Sequence, residues 1–345
     1  MFELKKEGPP DQKKPIFANE PTLTRRLAEG VMLVAAAVVF GLSANYLPFV
    51  WLIAAFLWPV PLALLVRRFG PVFGLGGILL TTVILAIFTG PISALLNLLN
   101  MGGVAFWYGW AARQEIKPWT TVIIGVFISA ISMVLLLLGS TWLTGLHVND
   151  LMKQIEDFVD FYINTMQQNP QMRQQLQQLQ GSMTTAEFSE YLKNYLTSML
   201  PASLIVISMI ETSVCYAVIK YVFRRLGYPM AKLPPFKDWR LPWYTLWGLI
   251  IALLAFVAFH QMELEWCRAL FNNIMYIYQP LLMLAGLALY YWLAEFWKKP
   301  WLIWTMVFMA IGFFNVVGPM LMLMGMADSV WDVRQMLINK KQRQG

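Results

Sequence analysis

Long apolar stretches, separated by short basic or proline-bearing segments, repeat along almost the whole chain. Their lengths match the roughly 20 residues that a helix needs to cross a hydrocarbon core about 30 Å thick. They lack the strict two-residue alternation of a half-buried strand, and backbone groups in lipid must be satisfied within a helix or a closed barrel. The pattern therefore predicts an all-α, polytopic helical membrane protein. Nine apolar spans are expected, at 28–46, 49–66, 71–89, 91–112, 119–145, 201–224, 243–260, 270–296 and 301–326. Asn315, Gly318 and Pro319 interrupt the last of these and would let it turn back on itself, which leaves eight crossings instead of nine.

The segments between the spans divide the chain further. Residues 1–21 are polar and lysine-bearing, and are expected to form a disordered cytoplasmic tail. The apolar stretch after Arg25 and Arg26 reads as a retained anchor helix, not a cleaved signal, because a second span follows soon after Tyr46. Residues 22–146 hold the first five spans. From 147 to 200 lies an insert in which Leu151, Ile155, Phe158, Tyr162 and Met166, and then Met172, Leu176, Leu179 and Met183, recur at helical spacing. Thr184 and Glu187 have the spacing of a capping box for a third short helix carrying Phe188, Tyr191, Leu192 and Tyr195. The insert is expected to be a helical cap whose Phe158 and Tyr162 pack inward. After the sixth span, 201–225, comes a proline-rich connector at 226–242, then a C-terminal membrane module at 243–327 and a basic tail at 328–345.

Composition supports the class: 58% of the residues are hydrophobic and 13% charged, about half the charged share of ordinary soluble domains. The Trp and Tyr residues gather near run ends, for example Trp51, Trp58, Trp107, Trp110, Trp119, Trp142, Trp243 and Tyr244, where amphipathic rings meet lipid headgroups. Two cysteines, Cys215 and Cys267, define no disulfide framework. The net charge of +7 would suggest nucleic acid in a soluble protein, but here it sets orientation. Threading the nine spans places 18 of the 26 basic residues on the side of the N-terminus, and only Lys153, Arg173, Lys193 and Arg268 opposite. By the positive-inside rule the N-terminus and connector face the cytoplasm and the insert faces outside. Arg334, Lys340, Lys341 and Arg343 would then fall outside, unless the last run is re-entrant.

Candidate chemistry is sparse. The histidines, His147 and His260, form no paired metal motif, and neither a nucleophile elbow nor a phosphate-binding loop occurs. The chain is read as a non-enzyme without cofactor or metal. Glu211 stands near the middle of the span 201–224, with Ser208 and Cys215 on its helical face and Thr212 and Ser213 beside it. Intramembrane carboxyls usually face a bundle interior or a cavity and mark function. The alternative is one interhelical hydrogen bond that serves packing. Asn97, Asn100 and Gln279 are the accompanying ligand-binding candidates, each with the same alternative. Glu29 and Glu295 are expected to pair with Arg25 and Lys298. Small residues, among them Ala37 and Gly41, Gly70 and Gly74, and Gly102 with Gly103, allow close helix approach. Ala35, Ala37 and Gly41 are also candidates for docking a partner helix.

The stretches RLAEGVMLVAAAVVFGLSANYLPF, LWPVPLALLVRRFGPVFGLGG and FTGPISALLNLL, with the closing GMADSVWDVRQ, resemble the YybS-like family of bacterial membrane proteins, a domain of unknown function. The N-terminal half, with its Ala-rich first helix, Pro-containing second and Gly-rich third, also distantly resembles the S component of energy-coupling-factor vitamin transporters. That second resemblance implies a small-solute-binding or transport subunit of the bacterial inner membrane, docking on a coupling subunit served by separate ATPases. The insert and the spans after residue 242 depart from it. The alternative is a membrane scaffold that organises envelope-assembly proteins. The bilayer is a partner in either case, and nucleic acid in neither.

Overall fold

A computed structural model of the chain describes residues 23–144, 148–228, 230, 231, 233–262 and 264–343. The expected tail at 1–21, His147, Pro229 and Lys232 lie outside the described residues, as do the side chains of Trp142 and Leu151. Among the described residues the regular structure is helical, with no strand. Seven segments are long and apolar enough to cross a membrane, or eight if a bent pair near the C-terminus counts as one span. The chain gathers into two compact units.

The first unit holds residues 23–144 and Ser208–Leu233. Its helices are α1 (Leu23–Tyr46), α2 (Trp51–Leu57), α3 (Pro59–Phe69), α4 (Pro71–Thr89), α5 (Pro91–Asn97), α6 (Gly103–Arg113) and α7 (Pro118–Thr144). A π turn, Leu98–Gly102, joins α5 to α6 without a break. The continuous stretch 91–113 is therefore roughly 34 Å long at 1.5 Å per residue. The prolines at 59, 71, 91 and 118 all open helices, where the missing N–H costs nothing because first-turn donors have no helical partner. Centrally placed α3 is buried from Pro59 through Val66. It meets α6 so closely that a Cβ on Gly109 would overlap the Ala63 carbonyl oxygen, the small-residue contact by which helices associate without a hydrophobic drive. Leu62, Ile78, Leu85, Tyr108, Ile219 and Phe223 fill the core around it. At one end Glu29 bridges Arg25 at 3.0 Å and Arg68 at 2.5 Å, while Arg67 lies over the Tyr228 ring. Two docking candidates need correcting: Ala37 and Gly41 are buried within this unit, Gly41 against Leu85 and Trp58, so only Ala35 stays open to a partner.

The second unit holds residues 148–207 and those from Pro234 onward. It contains α8 (Val148–Gln168), α9 (Pro170–Gln180), α10 (Thr185–Ser198) and the first residues of α11 (Leu200–Arg225), whose remainder belongs to the first unit. After the connector come α12 (Trp247–Met262), α13 (Glu265–Phe296), α14 (Trp301–Gly312), α15 (Phe314–Trp331) and α16 (Val333–Gln342). Thr184 and Glu187 form the capping box: Glu187 Oε2 accepts from the Thr184 N–H at 2.7 Å, and Thr184 Oγ accepts from the Glu187 N–H at 3.3 Å. The inward face of α8 keeps Ile155 and Met166 of the expected stripe but not Phe158 and Tyr162. Val159, Ile163 and Met166 are buried with Leu176 and Phe188, whereas Phe158 and Tyr162 are 60% and 44% exposed and stack on each other. Val159 and Ile163 lie one position after Phe158 and Tyr162, so both pairs have helical spacing, and the space left by α9 and α10 decides which is enclosed.

Helix α13 is 32 residues long, about 48 Å, and organises this unit. At its first end Asn273 ties the insert down, donating to the Ser198 carbonyl at 2.6 Å and accepting from the Ala202 N–H at 2.9 Å. At its last end Lys237 of the connector bonds Glu295 at 2.7 Å and the Phe236 ring meets Tyr291. The insert and connector thus sit at opposite ends of one helix longer than the hydrocarbon core is thick. Lys237, not Lys298, is the partner of Glu295. Helix α15 crosses α13 through facing glycines: a Cβ on Gly286 would overlap the Leu321 carbonyl and one on Gly325 the Leu282 carbonyl.

The final apolar run is a hairpin. Helix α14, at 12 residues, reaches only about 18 Å. The chain turns at Phe313, with φ −135° and ψ 40°, and α15 returns to the connector, where Arg240 meets Asp332 at 2.8 Å. Both ends of the run lie on the side of the connector, the arrangement of a re-entrant segment. The break is not at Asn315, Gly318 or Pro319. Pro319 lies inside α15, early enough that of the helix's own bonds only the one to the Asn315 carbonyl is lost. Asp332, in the left-handed conformation, then bends the chain by 68° into α16.

Candidate functional site

The sequence LIVISMIETSVCYAVIK puts polar groups at 208, 211, 212 and 215 on one side of α11. Ser208, Thr212 and Cys215 are fully buried, Ser213 is exposed, and Glu211 is half-buried. Two other elements converge on Glu211. Ser129 of α7 donates its hydroxyl to Oε2 at 3.0 Å, and the Asn100 side chain, on the π turn, lies beside the carboxyl as a further donor. π turns are inserted where a helix must re-aim side chains and recur at functional sites.

The surroundings are held firmly. Tyr108 of α6 donates to the Thr212 carbonyl at 2.9 Å, and its ring packs edge-on to Tyr216. Its hydroxyl lies where Gly125 leaves room, since a Cβ there would stand 2.5 Å away. Thr212 Oγ bonds back to the Ser208 carbonyl at 2.6 Å, and Ser208 Oγ contacts the Met133 sulfur at 3.6 Å. Asn97, three residues before Asn100, has a buried amide nitrogen with no acceptor. Leaving such a donor unmade costs about 1–3 kcal/mol, so an acceptor supplied from elsewhere would be favoured. Chemically, the arrangement is a carboxyl met by neutral donors, able to accept a proton or to receive a cationic or hydrogen-bonding group.

The structure therefore brings Glu211 and Asn100 together. Gln279 belongs to the second unit, exposed on α13 beside a groove lined by Val206, Tyr276, Met283 and Leu321. Ser129 and Tyr108 were not among the sequence candidates. A serine within GVFISAISM is a weak signal, and nothing in the sequence marks the π turn. Among the described residues no group of three or more His, Cys, Asp or Glu side chains could hold a metal ion.

Comparison with known proteins agrees with the fold. Over 252 residues, 72% of this chain and 78% of the relative, the sequence is 25% identical to the uncharacterised protein YybS of Bacillus subtilis (strain 168). No solved structure matches. Residues 35–329 match the family described as predicted membrane protein, DUF2232. That match covers most of the chain, from α1 through α15, and the protein belongs to this membrane-protein family.

Proposed function

We propose that this chain is a non-enzymatic, small-solute-binding subunit of a transport assembly in the bacterial inner membrane, with its N-terminus cytoplasmic. The observation that carries the reading is the meeting of Glu211, Asn100 and Ser129 from α11, the π turn and α7. Three elements distant in sequence supply one half-buried carboxyl with directed donors, and intramembrane carboxyls in such settings serve solute or proton pathways. The solute class is cationic, or neutral with hydrogen-bond donors. A membrane coupling subunit with separate ATPases would supply the energy, in keeping with the S-component-like pattern of the first helices.

Thermal unfolding of the purified protein against a panel of small amines and neutral hydrogen-bond donors tests the reading. A stabilising compound should lose its effect in Glu211→Gln while the unliganded variant stays folded, with an unfolding temperature between those of wild type and Glu211→Leu. Equal stabilisation of Glu211→Gln and Glu211→Leu would remove Glu211 from the site.

A second reading, an envelope-assembly scaffold, is favoured by the exposed aromatics Phe158, Phe161 and Tyr162 on α8. Co-purification separates the two: ATPases and a coupling subunit support transport, and envelope-assembly proteins support the scaffold.

A further inference from the structure

A groove of about 350 Å³ runs between α1 and α4 in the first unit. Its walls are Leu27, Gly30 and Val31 on α1 and Phe73, Gly76 and Leu80 on α4, and Arg26 lines it too. The floor is closed, because Gly77 packs on Leu65 and Val34. Gly76, the next residue, does no such work: a Cβ there, or on Gly30, would meet nothing within 4 Å. Glycine inside a helix is less stable than alanine, so two glycines that no packing requires need another account. Their effect is to keep the groove open.

We propose that this groove holds one acyl chain of an anionic phospholipid, with the headgroup phosphate at Arg26. Three observations select that occupant. The groove is apolar along its length but includes a cation, as an amphiphile demands. The end it starts from carries Arg25, Arg67 and Arg68 besides Arg26, against Glu29 and Glu115, and basic pockets between membrane helices suit anionic headgroups. Its size suits a chain and not a helix: α1 and α4 close on each other at Val34 and Gly77, and the space between them is about 350 Å³. A helix with its side chains is about 10 Å across or more and is too thick to enter that space.

The test is native mass spectrometry of the full chain, stripped of lipid in detergent and titrated with phosphatidylglycerol or phosphatidylcholine of identical acyl chains. Wild type should retain one phosphatidylglycerol with about a fivefold preference, the scale of one basic side chain at a bilayer surface. Arg26→Gln should bind both lipids equally. Gly30→Leu and Gly76→Leu fill the groove from opposite walls, so either alone suffices if the other misfolds, and each should lose retention of both lipids with helical content unchanged. Retention at the wild-type level in a folded Gly30→Leu or Gly76→Leu protein overturns the proposal. So does an undiminished phosphatidylglycerol preference in Arg26→Gln, or loss of a protein partner from Gly76→Leu while lipid retention persists.

Discussion

Ser129 Oγ donates to Glu211 Oε2 across 3.0 Å, linking two helices whose residues are 82 positions apart. Interhelical hydrogen bonds in membranes average about 0.6 kcal/mol, so Ser129→Ala should lower stability only slightly. Glu211→Leu is expected to cost more, about 1–3 kcal/mol, because it leaves the Ser129 and Asn100 donors without their acceptor. Glu211→Gln retains an acceptor oxygen and should fall between wild type and Leu. Unfolding temperature followed by helical circular dichroism in detergent checks the order. A Leu variant as stable as wild type would mean that the two donors find other acceptors.

The ion pair at the other end of the chain should matter more. Asp328 is 1% exposed and accepts from Arg334 Nε at 2.9 Å. The same guanidinium donates to the carbonyls of Lys237 and Trp239, pinning the connector to α15 and α16. Removing one member of a buried pair strands the other charge, at about 3–5 kcal/mol. Arg334→Met should therefore destabilise strongly and expose the connector to protease. The double variant Asp328→Leu with Arg334→Met should recover part of that loss, since neither charge is then left buried alone. A double variant as unstable as the summed singles would show the pair to be uncoupled.

The insert offers a paired test of register. Ile163 is buried in its small core and Tyr162, its neighbour, is largely exposed. Ile163→Ala should cost about 2–5 kcal/mol and make residues 148–198 protease-sensitive. Phe158→Ser with Tyr162→Ser should leave proteolysis unchanged. The reverse result would restore the register first expected from the sequence.

That misreading shows where legibility ended. Helical class, the capping box at Thr184, the short hairpin near the C-terminus and the polar face of α11 around Glu211 were all readable, because each depends on local spacing or on hydropathy. Whether Phe158 and Tyr162 or their neighbours Val159 and Ile163 face inward depends on the space left by α9 and α10, and no local rule supplies that. The turn at Phe313 follows Gly312, one of several glycines in the run and no more conspicuous than Gly318, while Pro319 is absorbed within α15. Asn100 reaches Glu211 from a π turn, and a 3.6-residue period cannot anticipate that geometry.

Acid should loosen the insert. Lys193 donates to Asp160 at 2.8 Å and Ser189 at 3.1 Å, which together hold the Asp160 carboxyl below its ordinary range. The Thr184 N–H and then its hydroxyl do the same for Glu187. A carboxyl whose folded value is depressed contributes stability that is present above its unfolded value and lost as pH falls through the folded one. The loss should therefore begin below about pH 4, the ordinary carboxylate range. Protease sensitivity of residues 148–198 should rise there, and Asp160→Asn should flatten the response. A rise already complete near neutral pH would implicate other groups.

Topology follows from α13. The insert is tied to its first end through Asn273, and the connector to its last through Lys237 and Glu295. Helix α16 lies with the connector as well: Arg334 bonds its carbonyls and Lys341 stands 4.9 Å over the Phe296 ring. An apolar helix of that length has its ends on opposite faces of a bilayer. Single cysteines at Gln174, Lys237 and Gln342, in a background lacking Cys215 and Cys267, should therefore divide two against one with an impermeant thiol reagent. Gln174→Cys is expected to react from outside intact cells made permeable only in the outer membrane, and the other two only after lysis. Reversal of all three would keep the geometry and invert the orientation drawn from the basic residues. Labelling of Gln342→Cys together with Gln174→Cys would instead mean that the hairpin of α14 and α15 opens into a true crossing.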